Sequence, residues 1–126
     1  MSRSDENLYE ILLKNLKEAI VFADAGGRIQ IFNPVAEEYF DIRRKGALGK
    51  KYERVIPFKN IRKHFESVYE QKKSDHDVEL AIRGSTPSSS NGETHILRCS
   101  FNPIYNRQGE FLGCLATFAD VTEKGL

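Results

Sequence analysis

Two apolar stretches, Ile20-Val21-Phe22-Ala23 and Ile29-Gln30-Ile31-Phe32, flank the turn-forming run Asp24-Ala25-Gly26-Gly27-Arg28. The aspartate offers a local acceptor and the glycines tolerate positive φ, so the two stretches read as strands of an antiparallel hairpin. Asn33-Pro34 follows at once. Proline fixes its own φ and biases Asn33 toward extended backbone, which ends the second strand and leaves Asn33 to cap a helix that Pro34 begins. That helix, Pro34 to Phe40, turns Val35, Ala36, Tyr39 and Phe40 inward.

Upstream, Ser4 is a candidate N-cap, with Asp5 and Glu6 in the first turn where negative charge suits the helix dipole. Leu8, Ile11, Leu12, Leu16 and Ala19 then recur at helical spacing, which predicts an amphipathic opening helix. Tyr9, Leu13 and Leu16 widen its apolar stripe beyond what one partner needs, leaving surface for a second copy. Downstream, Asp41 to Lys59 holds Gly46, Gly49 and Pro57 among scattered apolar residues, which suits short helical turns. From Asn60, the residues Ile61, His64, Phe65, Val68 and Tyr69 keep a helical period. Three strands follow, His76 to Arg83, Thr94 to Tyr105 and Phe111 to Val121. The polar connector Gly84–Gly92 and the turn Asn106-Arg107-Gln108-Gly109 separate them.

The chain has 126 residues, enough for one compact domain, and its nineteen basic and eighteen acidic residues leave a formal net charge of +1. No global field therefore points to nucleic acid or an anionic membrane as a partner. Its longest apolar runs, Ala19–Ala23 and Leu112–Ala119, are too short to span a bilayer, and a cytoplasmic location is expected for this piece. The two cysteines, Cys99 and Cys114, form neither a disulfide framework nor a zinc knuckle. They read as small buried residues, roughly diagonal on adjacent strands, where a disulfide is conceivable. No phosphate-binding glycine loop or kinase-type catalytic set is present.

The predicted order is an α+β layout: a five-stranded antiparallel sheet with short helices on one face and an amphipathic helix at the N-terminus. At this point the residues resemble the PAS family. Ala19 to Ile29 is similar to its opening hairpin, and Asn33-Pro34-Val35-Ala36-Glu37 to its strand-to-helix junction. Gly46-Ala47-Leu48-Gly49-Lys50 resembles the segment that commonly follows, Gly109 to Gly113 its last turn, and Asp120-Val121-Thr122-Glu123 its exit signature. The likeness runs from Leu8 to Glu123. It implies one domain over residues 1–126: a cap and dimerisation helix at 1–19, a core at 20–121, and at 122–126 the start of a linker.

The resemblance further implies a sensory module of a bacterial signalling protein, most simply a histidine kinase whose catalytic output lies beyond this regulatory piece in the same chain. The parent could be anchored in a membrane that this piece does not touch. A homodimer would form through Leu8, Ile11, Leu12 and Leu16, and the signal would leave through Asp120 and Thr122. An unidentified small ligand would lie between sheet and longer helix, lined by Phe22, Ile31, Tyr39, Phe40, Ile56, Ile61, His64, Phe65, Val68, Leu97, Cys99, Phe101, Cys114, Ala116 and Phe118. The same residues equally describe a filled core, which would make the domain a ligand-free interaction and dimerisation module of a transcriptional activator or a cyclic-dinucleotide enzyme.

Flavin-binding relatives carry a reactive cysteine in an Asn-Cys-Arg segment after the early helices, and Asp41–Phe58 contains none, so flavin is not expected. Haem would need an axial ligand, and His64 sits on the element that supplies it in haem-binding relatives. The competing reading makes His64 an interior histidine that satisfies a hydrogen bond. His76, His95 and Cys99 lie on neighbouring strands without a close metal-ligand spacing, and no metal is expected. A small lyase or isomerase of α+β shape would require an inward acid/base pair, whereas the acidic residues fall mostly on turns and polar helix faces.

Overall fold

A computed structural model describes residue 8 and residues 17–83 and 94–121. In chain order these form β1 (Ala19–Asp24), β2 (Ile29–Phe32), α1 (Pro34–Phe40), α2 (Arg44–Ala47), α3 (Tyr52–Val55), α4 (Lys59–Gln71), β3 (Asp75–Arg83), β4 (Thr94–Tyr105) and β5 (Phe111–Asp120). The strands make one antiparallel sheet of order β2-β1-β5-β4-β3. Ala19, expected as the last residue of the opening helix, instead begins β1. Apart from Leu8, which is helical and exposed, that helix lies outside the described residues, as do the connector Gly84–Gly92 and Thr122. Among the described residues no helix is long and apolar enough to cross a membrane.

Both tight hairpins close with the same chemistry. Asp24 Oδ1 accepts from the backbone N–H of Gly26 (3.0 Å) and Arg28 (2.9 Å), and Gly27 N–H returns to Asp24 O (2.9 Å). Asn106 Oδ1 likewise accepts from the N–H of Gln108 and Glu110, each at 2.9 Å, and Gly109 N–H returns to Asn106 O (3.0 Å). In each turn a glycine with positive φ, 85° at Gly27 and 83° at Gly109, makes the reversal that a Cβ would oppose. Burial works to raise the Asp24 pKa, but the hydrogen bonds from Arg28, Gln30 and Gly26 outweigh it and hold the carboxyl below its ordinary value.

Asn33 makes the strand-to-helix junction that the sequence predicts. Its backbone is extended (φ −81°, ψ 172°), and its Oδ1 accepts from Ala36 N–H at 3.0 Å, capping α1. The same oxygen accepts from Ile20 N–H (2.8 Å), while Nδ2 donates to Glu18 O (2.9 Å). One side chain thus ties the start of the helix to the start of β1. Beyond α1, the segment around α2 and α3 runs along the outer edge of β2. Gly49 N–H donates to Ile29 O (2.8 Å), Ile29 N–H to Lys50 O (2.9 Å) and Tyr52 N–H to Gly27 O (2.9 Å).

The core lies between one face of the sheet and the helices, and strand register decides which residues enter it. Val21 pairs with Ala116 and Phe32, Ala23 with Cys114 and Ile29, and Ala19 with Phe118, and all of these are buried. From β4 come Leu97, Cys99 and Phe101, and from the helices Phe40, Ile56, Ile61, Phe65 and Val68. Gly113, at φ 147°, lies so close to β1 that a Cβ there would stand 2.0 Å from Ala23 O.

Two glycine substitutions should therefore separate conformational cost from steric cost. At Gly109 nothing lies within 4 Å of the added Cβ, so Gly109→Ala should cost only the left-handed backbone penalty, about 1 to 2 kcal/mol. Gly113→Ala must force β5 away from β1 and should cost about 3 kcal/mol or more. Urea denaturation of both variants checks the ranking, and equal losses would contradict it.

Candidate functional site

Of the residues expected to line an interior pocket, most do converge between sheet and α4. Phe40, Ile56, Ile61, Phe65, Val68, Leu97, Cys99, Phe101, Cys114, Ala116 and Phe118 all belong to the buried cluster. Phe22 and Ile31 do not. They pair with each other across β1 and β2, one residue out of step with the buried pair Val21 and Phe32, and so stand half-buried on the opposite face of the sheet. Ile29, Phe32, Val21 and Ala23 take the inward places.

The interior is crossed by an unbroken series of aromatic rings. Phe32 meets Phe40 at 6.1 Å between centroids, Phe40 meets Phe118 edge-on at 5.2 Å, and Phe118 meets Phe101 at 5.8 Å. Phe101 touches Phe65 at 5.7 Å, Phe65 stacks on Tyr52 at 4.8 Å, and Tyr52 stacks on Tyr69 at 5.6 Å. Tyr69 continues to Phe111 at 5.6 Å, and Phe58 branches from Phe40 at 5.9 Å. Seven of the eight phenylalanines join this series, Phe22 being the exception. Such offset and edge-to-face contacts add to the burial energy of the core.

Tyr52, one of the scattered apolar residues between Gly49 and Pro57, is not among the expected pocket residues, yet its ring stacks on both Phe65 and Tyr69 of α4. Burial, ahead of nearby acidic charges, pushes its hydroxyl up to about 12. Tyr69 donates its hydroxyl to Ala23 O (3.0 Å) and Asp24 O (2.6 Å), and burial raises it further above the phenol range. The carbonyls at the end of β1 are thereby held by α4.

His64 lies at the rim of the core, partly exposed. Its Nδ1 lies 3.0 Å from Asp75 Oδ2, and its ring stacks on Phe101 at 5.0 Å with an interplanar angle of 11°. The contact joins α4 to the start of β3. Arg98 stands on the solvent side of the sheet, 3.3 Å from Glu79. Neither it nor Lys50, which is exposed, reaches the interior.

At the far end of β5 a second polar cluster forms. Asp120 Oδ2 lies 3.1 Å from His95 Nδ1 on β4, and Asp120 N–H donates to the Tyr39 hydroxyl of α1 at 3.1 Å. Tyr39 thus reaches the exit of the domain, although the sequence assigns it to the pocket. Burial raises its hydroxyl pKa against the opposing hydrogen bond from Asp120. His95, which has no close metal-ligand spacing in the sequence, is placed by β4 against Asp120.

A family model described as the PAS fold matches residues 7–121. The chain is a PAS domain. Such domains are sensory and signalling modules, and solved structures share the architecture. The PAS domain of a protein from Colwellia psychrerythraea is 20% identical, with a TM-score of 0.64 over 95% of this chain and 99% of that one. The PAS domain of the histidine kinase ThkA is 24% identical, with a TM-score of 0.62 over 83% of this chain and 100% of its own. VqmA bound to DPO is 19% identical, with a TM-score of 0.67 over 90% of this chain and 57% of its own. No curated protein matches the chain.

The cysteines of this PAS domain are both buried and free. Cys99 pairs with Phe118 and Cys114 with Pro103, so they stand four rungs apart on β4 and β5, about 13 Å along the strands. That exceeds the span a disulfide bridges, and both cysteines are the small buried residues that the sequence predicts. Burial pushes each thiol up to about 12, well above the ordinary value of about 8.5. Neither should react with a thiol reagent at pH 8 until the domain unfolds. Because the folded thiols hold their protons more tightly than the unfolded ones, their contribution to stability is complete below about pH 8.5 and is lost as pH rises toward 12. Denaturation midpoints across that range should fall less steeply in a Cys99→Val, Cys114→Val variant than in the parent.

Proposed function

We propose that this PAS domain senses a small ligand or a protein partner and relays its state, by rearrangement of a homodimer, through the end of β5 to an output domain. A histidine kinase is the output we favour, and the likeness to the ThkA domain supports that choice through the fold alone. The observation that carries the relay is the polar cluster at Asp120, where α1 and β4 both hold the last residue of the exit strand. A state of the helical layer thereby has a route to the chain that leaves the sheet. Ligand control further requires that the ligand bind one arrangement more tightly than the other.

The ring series favours a second reading, a ligand-free interaction and dimerisation module of a transcriptional activator or a cyclic-dinucleotide enzyme. In that reading the aromatic side chains occupy the place a ligand would take, and the input arrives at the surface. Native mass spectrometry of the purified domain separates the two. A reproducible small-molecule adduct that is lost on denaturation supports the sensor, whereas a bare mass and a melting temperature unmoved by a metabolite panel support the interaction module. His64 is read as an interior histidine committed to Asp75 and Phe101. Haem added to the protein should accordingly give no Soret band, and a band lost in His64→Ala would overturn this assignment.

A further inference from the structure

The start and the end of the described domain lie side by side, with Ala19 at the beginning of β1 opposite Phe118 near the end of β5. Because β1 starts at Ala19, the edge of β5 beyond Phe118 has no β1 residue beside it. Asp120 N–H, which points to that side, is taken instead by the Tyr39 hydroxyl. Tyr39 belongs to α1, and the other end of α1 is fastened by Asn33 to Ile20 N–H and Glu18 O. One seven-residue helix therefore touches the chain where it enters the sheet and where it leaves.

A second contact fixes the same exit residue from the opposite side. His95 Nδ1 meets Asp120 Oδ2, while His95 Nε2 is buried without a hydrogen-bond partner among the described residues. A leucine in that place would pack without stranding a polar atom, so the imidazole is kept at an energetic cost. The contact with Asp120 is the use that the geometry offers for it.

We propose that α1 is a strap that couples the segment entering β1 to the exit from β5, with Tyr39 and His95 as positioning residues that set Asp120. The inference rests on the reading that the exit carries the signal, and it adds a route that does not pass through the core. A displacement of the residues around Glu18 pulls on Asn33, turns α1, and reaches Asp120 through one hydroxyl. His95 holds the carboxylate meanwhile, so the strap changes the direction of the exit and does not merely release it.

Amide hydrogen exchange on the 126-residue chain tests this, with Tyr39→Phe, His95→Leu and His95→Asn as variants. Tyr39→Phe should speed exchange at Asp120 at least tenfold and also at Ile20, whose N–H is bound by Asn33, while Leu80 and Ile82 of β3 stay within twofold of the parent. His95→Leu should loosen Asp120 and Val121 by a similar factor, and His95→Asn, which restores a donor near the Nδ1 position, should return them to within twofold. Acceleration confined to Asp120 in Tyr39→Phe, with Ile20 unchanged, would sink the coupling. So would a uniform acceleration across the sheet, or a His95→Asn variant as loose as His95→Leu. If Tyr39→Phe does not fold, the His95 pair decides the clamp, and Asn33→Asp, which keeps the acceptor and loses the donor to Glu18 O, decides the coupling by whether Asp120 exchange rises with it. A failed strap leaves the mass-spectrometric result for ligand binding untouched, and a bare mass there leaves the strap standing.

Discussion

The amide of Asn33 is the contact on which the arrangement of layers depends. Among the described residues it is the one buried polar side chain, and burial of such a group is tolerable only when its hydrogen bonds are made. Its bonds to Glu18, Ile20 and Ala36 satisfy it and, in the same act, set the angle at which α1 leaves the sheet. That angle delivers Phe40 to Phe118 and Tyr39 to Asp120. An aliphatic residue at position 33 would leave backbone groups of β1 and the first turn of α1 without partners, and the helix would lose the reference that aims both side chains.

From that junction the molecule divides into two mechanical regions. The interior is a continuous set of ring contacts from Phe32 to Phe111, and close-packed interiors shift between discrete arrangements more readily than they deform. The polar contacts are placed at the margins: His64 with Asp75 where α4 meets β3, Tyr69 on the carbonyls of Ala23 and Asp24, and His95 and Tyr39 on Asp120.

What was legible in the sequence was whatever local chemistry dictates. Asp24 with Gly27, Asn106 with Gly109, and Asn33 with Pro34 each fold a few residues by their own hydrogen bonds or backbone limits, and their places in the fold follow directly. The longer helix was legible because its apolar period is strict, and four of its five predicted contacts, Ile61, Phe65, Val68 and Tyr69, pack into or against the core. The face of β1 was not legible, since Ala19 to Ala23 is apolar at every position and period two carries no information there. The distance between Cys99 and Cys114 was not legible, because a rung offset depends on where the hairpin closes and on the irregularity between Ile104 and Tyr105. His95 was passed over because its partner is 25 residues away and is chosen by strand register. The ring contacts of Tyr52 were not legible because no periodic element contains it.

The two edges of the sheet are treated unequally, and this limits how copies could associate through them. The β2 edge is covered at Ile29 by the backbone of Gly49 and Lys50, whereas no strand among the described residues pairs with the outer side of β3. β3 itself is irregular between Asp75 and Val78, has Asp77 at φ 55°, and gives the carbonyl of Ala81 to Asn60. Edge-to-edge growth into a fibre needs two compatible free edges on every copy. With one edge partly covered by its own chain and the other irregular and charged, neither offers the regular free strand that such growth needs.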